Sequence, residues 1–493
     1  MSARPNILIF CTDEQRGDHL GCMGHPVLKT PNIDRLAAEG TLFRNCYSSS
    51  PLCMPARATM MTGQTNRVHG VADNGYNLPK TLPTLPGMLA KEGYRTHAIG
   101  KLHLRNPGIN LPEGETALTS PEHRKFWDWP GRWEGSRLKK FPPEYYGFQT
   151  VEMAGGHVSY IYGDYVTWLE ENHPGAYEGY KSSNEDPHPL AIAPEVHYNT
   201  WIADRSIAYI EDQVKGESPF YLWCSIPDPH EPFAAVKKWS DFYDDVEIEL
   251  PPQTLSLSPD SRSETMTEAG LGTETIDPEK VKKSIKQTYG MISHLDEQVG
   301  RVLDCLEEQG VAENTVVMFI SDHGDQLGEH GLFFKSVYPY DAHAHIPFLV
   351  KAPGGAKGQI VDDVVSMLDM VPTALSYAGV EPEDKLPGEV LTAVVAGEEE
   401  PKRKNALIEI DRKGGRSNPE PIQMRTLVTN EYKLVYYANT GETMFFDRAN
   451  DPYEQKNLAS EPALQGTILE MFKELMSELA RTEMSECNFQ NRS

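Results

Sequence analysis

Short unbroken apolar runs, each closed by a polar loop, set the rhythm of this chain. The first is Asn6-Ile7-Leu8-Ile9-Phe10-Cys11, followed by Thr12-Asp13-Glu14-Gln15-Arg16-Gly17. A run without polar alternation is the pattern of a strand covered on both faces, as in a parallel sheet. Residues 94–100, 219–226, 315–321 and 346–351 repeat it. Helical patterns fall between these runs, over 31–40, 55–63, 83–93, 198–213, 279–309 and 370–378. The longest carries Val281, Ile285, Tyr289, Ile292, Leu295, Val299, Leu303 and Leu306 at spacings of three and four, an apolar stripe along one helix face. Strands alternating with helices predict a doubly wound α/β domain.

The rhythm breaks twice. From 104 to 194 the periodicity is poor, and Trp, Tyr, Pro and Gly accumulate, as in Phe126-Trp127-Asp128-Trp129-Pro130-Gly131-Arg132-Trp133. Such an insertion either lines a pocket or an oligomer contact, or simply packs over the core. Residues 252–278 are rich in Ser, Thr, Glu and Pro and read as a mobile surface loop. After about 395 the pattern changes to closely spaced short strands, over 406–410, 424–429, 432–437 and 443–446, with a helix over 462–479. The expected organisation is a large, mostly parallel α/β domain over 1–395, and a small domain of antiparallel sheet plus helix over 396–493.

Charge and cysteine content narrow the setting. With 46 basic and 72 acidic residues among 493, the formal charge is −26, which repels nucleic-acid phosphates and anionic lipid. No nucleic-acid or membrane partner is expected. The seven cysteines follow no metal or disulfide spacing and read as free thiols in a reducing compartment. Met1-Ser2-Ala3-Arg4-Pro5 leads straight into a strand, so a cytoplasmic protein without a signal peptide is expected.

The conspicuous polar clusters fall at the carboxyl ends of predicted strands, the edge of an open α/β sheet where ligands bind. Asp13 and Glu14 follow one strand, Lys101 and His103 another, His230 a third, and Asp322 and His323 a fourth. Asp13 and Asp322, with Glu14 and His323, offer oxygen ligands and an imidazole, a set for Ca²⁺, Mg²⁺ or Mn²⁺; an Asp-His pair after a strand can equally cap a helix. Asp341-Ala342-His343-Ala344-His345 has no further cluster to complete a metal site, and its histidines read as structural or supporting. His103, His230, Lys101, Lys335 and Arg57 form a cationic cradle for the oxygens of a tetrahedral anion, and a histidine can protonate a leaving alkoxide. The helix beginning near Pro55 points its N-terminus at the same place. The combination suggests hydrolysis of a sulfate- or phosphate-type ester.

Cys53-Met54-Pro55-Ala56-Arg57 has the form C-x-P-x-R and is followed by Thr62-Gly63. Around it stand Pro5-Asn6-Ile7 to Asp13, Gly100-Lys101-Leu102-His103, Pro229-His230-Glu231-Pro232, Ser321-Asp322-His323-Gly324-Asp325, Leu327-Gly328-Glu329-His330-Gly331 and Lys335. Tyr432-Lys433-Leu434-Val435, Phe446-Asp447-Arg448, Asp451-Pro452-Tyr453-Glu454 and Asn457-Leu458 complete the set. Almost end to end, the chain resembles the sulfatases of the alkaline phosphatase superfamily, and the resemblance implies an alkaline phosphatase-like fold.

The resemblance also implies that a formylglycine-generating enzyme oxidises Cys53, recognising Pro55 and Arg57. The hydrated aldehyde, a gem-diol bound to one divalent metal ion, then attacks the sulfur of a small-molecule sulfate ester, and its second hydroxyl expels sulfate. By the same carry-over Asp13, Glu14, Asp322 and His323 bind the metal with residue 53. Arg57 holds the diol, Lys101 and His103 contact the nucleophile or sulfate, His230 is the acid for the leaving group, and Lys335 binds sulfate oxygens. A homo-oligomer is implied as well. Glu14 and His323 stand where many sulfatases carry aspartate and asparagine, a departure shared with choline sulfatases and phosphonate monoester hydrolases. The metal therefore stays open between Ca²⁺ and Mn²⁺, and phosphonate monoester or phosphodiester hydrolysis stays the alternative activity. Asn74, in Asp73-Asn74-Gly75, is a turn asparagine by type and a candidate substrate contact in that branch. A non-catalytic, anion-binding relative would be expected to have lost some of these groups, and every position is filled.

Overall fold

The structure is a computed structural model and describes residues 4–106, 144–181, 187–251, 254, 263–268, 276–335, 337–412 and 421–483. Nine strands form one mixed sheet: β1 (Asn6–Thr12), β2 (Thr41–Tyr47), β3 (Arg95–Gly100), β4 (Thr150–Gly155), β5 (Tyr162–Gly163), β6 (Phe220–Ile226), β7 (Thr315–Ser321), β8 (His345–Lys351) and β9 (Gln359–Ser366). Their order is β5-β4-β3-β6-β1-β7-β8-β2-β9. The five neighbours β4, β3, β6, β1 and β7 are mutually parallel, so their carboxyl ends share one edge. β8 runs antiparallel to both β7 and β2, which brings the end of β2 to that same edge. The helix Cys53–Thr62 starts just beyond it.

Every residue of β1, β6 and β7 is buried, as their unbroken apolar sequences demand. Alternate side chains feed two cores. Leu8, Phe10, Leu222, Cys224, Val317 and Phe319 pack on one face with the helices Tyr198–Gln213 and Pro278–Glu308. Ile7, Ile9, Cys11, Tyr221, Trp223, Val316, Met318 and Ile320 pack on the other with the helices Cys53–Thr62, Leu85–Lys91 and Met370–Ala378. With each full burial worth about 1.5–3 kcal/mol, the three central strands give the residues at their ends a stiff support.

A separate antiparallel sheet follows, in the order β10 (Ala406–Arg412), β11 (Ile422–Val428), β12 (Tyr432–Tyr437), β13 (Thr443–Asp447). Leu407, Leu427, Leu434 and Phe445 on one of its faces pack with Ile468, Met471 and Leu475 of the helix Gln465–Glu483. Ile410, Met424, Val435, Tyr437 and Phe446 on the other face pack with Leu52, Val337, Tyr338 and Tyr340. The small sheet thus braces the residue before Cys53 and the loop after Lys335. The wholly buried Lys433 ammonium, paired with Asp341 and Glu454, fastens the same junction.

The large parallel sheet and the small antiparallel sheet match expectation, but β2, β4 and β9 carry no clear signal in the sequence. In β2 the pairing register shifts around Arg44 and Asn45, so polar residues interrupt the apolar run. β9 is an edge strand whose Asp362 and Asp363 are not buried. The stretch 104–194 is more regular than expected where it is described, with β4, β5 and a helix at Asp164–Asn172; the aromatic run 126–133 lies outside the described residues. Most of 252–278 also lies outside them, and its described part includes a short helix, Glu264–Glu268, docked on the small sheet. There Ser263 Oγ and Thr265 N each donate to Glu442 Oε2 over 2.8 Å, and Met266 is buried.

Candidate active site

Asp13, Cys53, Asp322 and His323 each turn one ligand atom into a buried space, and these four atoms lie within 4.8 Å of one another. Asp13 follows β1, Asp322 and His323 follow β7, and Cys53 opens its helix at the end of the β2 connection. Cys53 Sγ is 3.2 Å from His323 Nε2. His323 Nδ1 lies 2.9 Å from the Gly324 carbonyl oxygen, which turns Nε2 toward the centre of the group; burial lowers the imidazole pKa, but Asp322 and Cys53 raise it above the ordinary value.

Asp13 is held by one oxygen and leaves the other without a partner, whereas both oxygens of Asp322 accept hydrogen bonds. Lys101 Nζ pairs with Asp13 Oδ2, while Asp13 Oδ1 is buried with no hydrogen-bond partner. Asp322 Oδ1 accepts from the backbone N–H of Glu14 (3.0 Å) and His323 (2.9 Å), and Oδ2 accepts from Arg57 Nε. Arg57 Nη1 also donates to the Lys101 carbonyl (2.9 Å) and Ser225 Oγ (3.0 Å). Burial raises the Asp322 pKa and the Asp13 carboxylate raises it further. Two carboxylates crowded in a dry space, one with an orphaned oxygen, fit a bound cation. For the thiol, burial works against ionisation, but Lys335, His323 and Lys101 together bring its pKa well below the ordinary value.

Glu14 takes a different place from the other predicted ligands. Its backbone sits at φ 66°, in the left-handed region, and its carboxylate joins His230 and Glu231. Glu14 Oε2 is 2.7 Å from Lys335 Nζ and 3.1 Å from His230 Nε2. His230 Nδ1 lies 2.7 Å from the Glu231 carbonyl oxygen. Burial and the Lys335 ammonium lower the His230 pKa, yet Glu231 and Asp13 outweigh them and it stands at about 9. Lys335 stays charged, because Cys53, Glu14 and Glu231 raise its pKa well above normal against the cost of burial.

His103 also has a left-handed backbone, φ 55°, a conformation that costs on the order of 1–3 kcal/mol and gathers at functional sites. Both its ring nitrogens are shielded, and burial holds its pKa at about 4 against the opposing pull of the neighbouring Cys53. Asn74 Oδ1 accepts from Met54 N over 3.0 Å, capping the first turn of the helix that Cys53 opens. His343 lies behind His323, with ring centroids 5.9 Å apart, and is buried. His345 Nε2 is engaged by the Arg44 carbonyl oxygen at 2.8 Å.

Known proteins resemble this chain over most of its length. A family model described as Sulfatase matches residues 5–380, and one described as N-sulphoglucosamine sulphohydrolase, C-terminal, matches 328–482. The chain belongs to the sulfatase family. Its relatives include a Clostridium perfringens protein named arylsulfatase, 28% identical with 97% of this chain and 95% of that one covered. A Rhizobium meliloti choline-sulfatase is 30% identical, with 94% and 83% covered. Among solved structures, a phosphonate monoester hydrolase of Agrobacterium radiobacter superposes with a TM-score of 0.79 at 23% identity, covering 97% and 96% of the two chains. The sulfatase is an enzyme of sulfate ester hydrolysis with an alkaline phosphatase-type fold.

The sulfatase site also contains residues that sequence reasoning missed. The His157 ring stacks on His230, with centroids 3.6 Å apart and planes 22° from parallel. Asp325 Oδ1 accepts from Leu327 N (2.6 Å) and Phe334 N (2.9 Å), closing the loop that ends at Lys335. Asp228 accepts from Tyr198 Oη and from Asn199 Nδ2 (2.7 Å), and its carbonyl oxygen accepts from Asp13 N (3.3 Å). Asp228, His197 and His294 form a further buried group of metal-binding residue types with hydrogen bonds of its own: Asn199 N donates to His197 Nδ1 (3.2 Å), and His294 Nε2 lies 3.3 Å from Thr200 Oγ1, whose proton goes to the Pro194 carbonyl oxygen. Ser225 and Asp228 lie beside motif residues already noted, and Glu231 and Asp325 lie within such motifs without a role assigned to them, whereas His157 follows an unrecognised strand.

Proposed function

We propose that this sulfatase holds one divalent cation through Asp13, Asp322, His323 and residue 53, and that Cys53 is the precursor of formylglycine. The observation that carries this reading is the buried group of four, with an orphaned Asp13 oxygen and a thiol facing one another. A hydrated aldehyde beside a cation supplies an oxygen nucleophile, and a means of releasing sulfate that a thiol lacks. Two carboxylates and an imidazole suit Ca²⁺ or Mn²⁺. Cys53, Pro55 and Arg57 are all buried, so a formylglycine-generating enzyme must reach them before the chain folds around them.

The chain's own groups supply the rest. Arg57 holds Asp322 in orientation, and Lys101 holds Asp13. Lys101, Lys335 and His103 surround residue 53 and bind the oxygens of the sulfate group, where negative charge grows during hydrolysis. His230 keeps one proton on Nδ1 against the Glu231 carbonyl oxygen and delivers the other from Nε2 to the departing alcohol oxygen. Glu231 and Asp13 favour its protonated form, while the Lys335 ammonium, which faces that same nitrogen beside Glu14, opposes it. In this reading residues 1–395 carry the chemistry and 396–493 brace it, as the contacts at Leu52 and Val337 support. The six described cysteines, all free thiols, favour a reducing, cytoplasmic setting; among the described residues no helix is long and apolar enough to cross a membrane.

The substrate is a small-molecule sulfate ester. His323 in the ligand set favours phosphonate monoesters or phosphodiesters as second substrates of the same apparatus. Mass spectrometry of the peptide containing Cys53, together with turnover of aryl sulfate, aryl phosphonate monoester and phosphodiester under one metal condition, tests both parts. Loss of the sulfur atom and a preference for sulfate are expected. An unmodified thiol in fully active enzyme would remove the nucleophile assignment, and a phosphonate preference of several orders of magnitude would remove the sulfate one.

A further inference from the structure

His230 is restrained at its edges by polar contacts and on one face by an aromatic ring. Nδ1 meets the Glu231 carbonyl oxygen at 2.7 Å and the Glu231 carboxylate at 2.6 Å, and Nε2 meets both Glu14 Oε2, at 3.1 Å, and Lys335 Nζ. Contacts at two ring nitrogens do not stop the ring from tilting about the line between them. The imidazole of His157 does, because it lies on that face at van der Waals thickness, 3.6 Å between centroids and 22° from parallel. Stacked rings resist tilting of either partner and attract beyond their buried area.

The chain strains to place His157 there. The ring follows the carboxyl end of β4, on the sheet edge shared with Lys101, His230, Asp13 and Asp322. Gly156 before it has φ 73°, and Val158 after it has φ 44°, a left-handed conformation that a β-branched residue rarely adopts. Tyr160 N donates to the His157 carbonyl oxygen over 2.8 Å, and the Tyr160 ring meets the imidazole at an edge, 6.0 Å between centroids. His157 Nδ1 is shielded with no hydrogen-bond partner, so the ring is set for the face it presents rather than for that nitrogen.

We propose that His157 is a positioning residue for the reaction: its ring holds the His230 imidazole in the plane from which Nε2 protonates the departing alcohol oxygen. The inference rests on His230 being the leaving-group acid. It therefore predicts a defect that depends on how much the leaving group needs a proton.

The test compares His157→Ala, His157→Phe and His230→Ala on 4-nitrophenyl sulfate, whose phenolate leaves readily, and phenyl sulfate, whose phenolate does not. His157→Ala is expected to lower kcat on phenyl sulfate about tenfold more than on 4-nitrophenyl sulfate, with KM changed less than about twofold. His157→Phe, which keeps a stacking face, should restore most of the loss. A crystal structure of His157→Ala should show the His230 ring turned away from the line between Glu14 and Glu231. An equal loss on both substrates, a His157→Phe variant as impaired as His157→Ala, or an unmoved His230 ring would each overturn the proposal. His230→Ala separates the two levels: a strong leaving-group dependence there with none in His157→Ala sinks only the positioning role, whereas none in His230→Ala removes the acid assignment and this inference with it.

Discussion

Arg57 Nε donates to Asp322 Oδ2 over 2.8 Å, and neither side chain has any exposed surface. The same guanidinium holds the Lys101 carbonyl at the end of β3 and Ser225 in β6, so one side chain ties three strands to the helix of Cys53. Arg57→Lys keeps the charge but loses the planar fork, leaving Asp322 and the Lys101 carbonyl short of donors. Breaking a buried ionic network in this way should cost about 3 kcal/mol or more of folding stability. Urea denaturation of both proteins with unmodified Cys53 isolates this effect from maturation. A Lys variant as stable as the parent would show that the network is replaceable.

A cation between Asp13 and Asp322 should stabilise the fold measurably, because burial and the neighbouring Asp13 charge both oppose ionisation of Asp322. Chelation is expected to lower the Tm, and Ca²⁺ or Mn²⁺ to restore it. At a hundredfold excess over Kd the gain is about 2.7 kcal/mol. Asp13→Asn should abolish the response, as followed by differential scanning fluorimetry with metal analysis of the purified protein. A Tm indifferent to chelator and metal in the parent would argue against a cation at this position.

Much of this site was legible because its residues follow strands that announce themselves. The unbroken runs of β1, β6 and β7 place Asp13, His230 and Asp322 on one edge before any coordinates are known, and β3 adds Lys101 and His103. His157 was missed because β4, Thr150–Gly155, is short and mixes Glu152 with Gly155. Once β4 is recognised, the same strand-end rule points to His157. The position of Glu14 was beyond sequence reasoning for another reason. Adjacent carboxylates on a loop look equivalent in sequence, and only the left-handed backbone at Glu14 turns its side chain toward His230 and away from the other ligands. β2 and β9 were hidden by a register shift and by edge exposure, features set by neighbours far away in sequence.

One carboxylate joins the two ends of the loop from Asp325 to Lys335, whose middle Arg16 holds through Glu329. Asp325 Oδ1 accepts from both Leu327 N and Phe334 N, and both residues have left-handed backbones, φ 45° and 63°. Asp325→Ala removes both acceptors and frees the segment that aims Lys335. A displacement of about 1 Å at a charged group in a site of this kind costs roughly a hundredfold in rate. Asp325→Asn retains an oxygen acceptor and should be milder. Steady-state kinetics on an aryl sulfate check the order; an Asn variant as impaired as the Ala variant would mean that the charge of Asp325, not its role as acceptor, is what matters.

Acid should destabilise this protein through histidines that fold in neutral form, and His69 isolates the effect. His69 is fully buried; its Nδ1 accepts from Val71 N over 3.1 Å, so Nε2 carries the proton and faces Thr59 Oγ1 at 3.2 Å. Burial lowers its pKa to about 3, against a partial opposing pull from the Pro55 carbonyl. In the unfolded chain the same group titrates near ~6.5. The folded pKa lies below the unfolded one, so as pH falls through ~6.5 the unfolded state takes up the proton first, and stability declines until the folded pKa is reached. The slope from one such group approaches ~1.4 kcal/mol per pH unit. His69→Gln removes the titration while keeping a polar group, so its stability should fall less steeply with pH than the parent's, by up to that amount between about pH 5.5 and 4. Urea unfolding at a series of pH values gives the difference directly, since the acid sensitivity of the metal-site carboxylates is common to both proteins and cancels. Parallel pH profiles would mean that His69 is already charged in the folded state, and that the Thr59 and Val71 contacts have been assigned to the wrong tautomer.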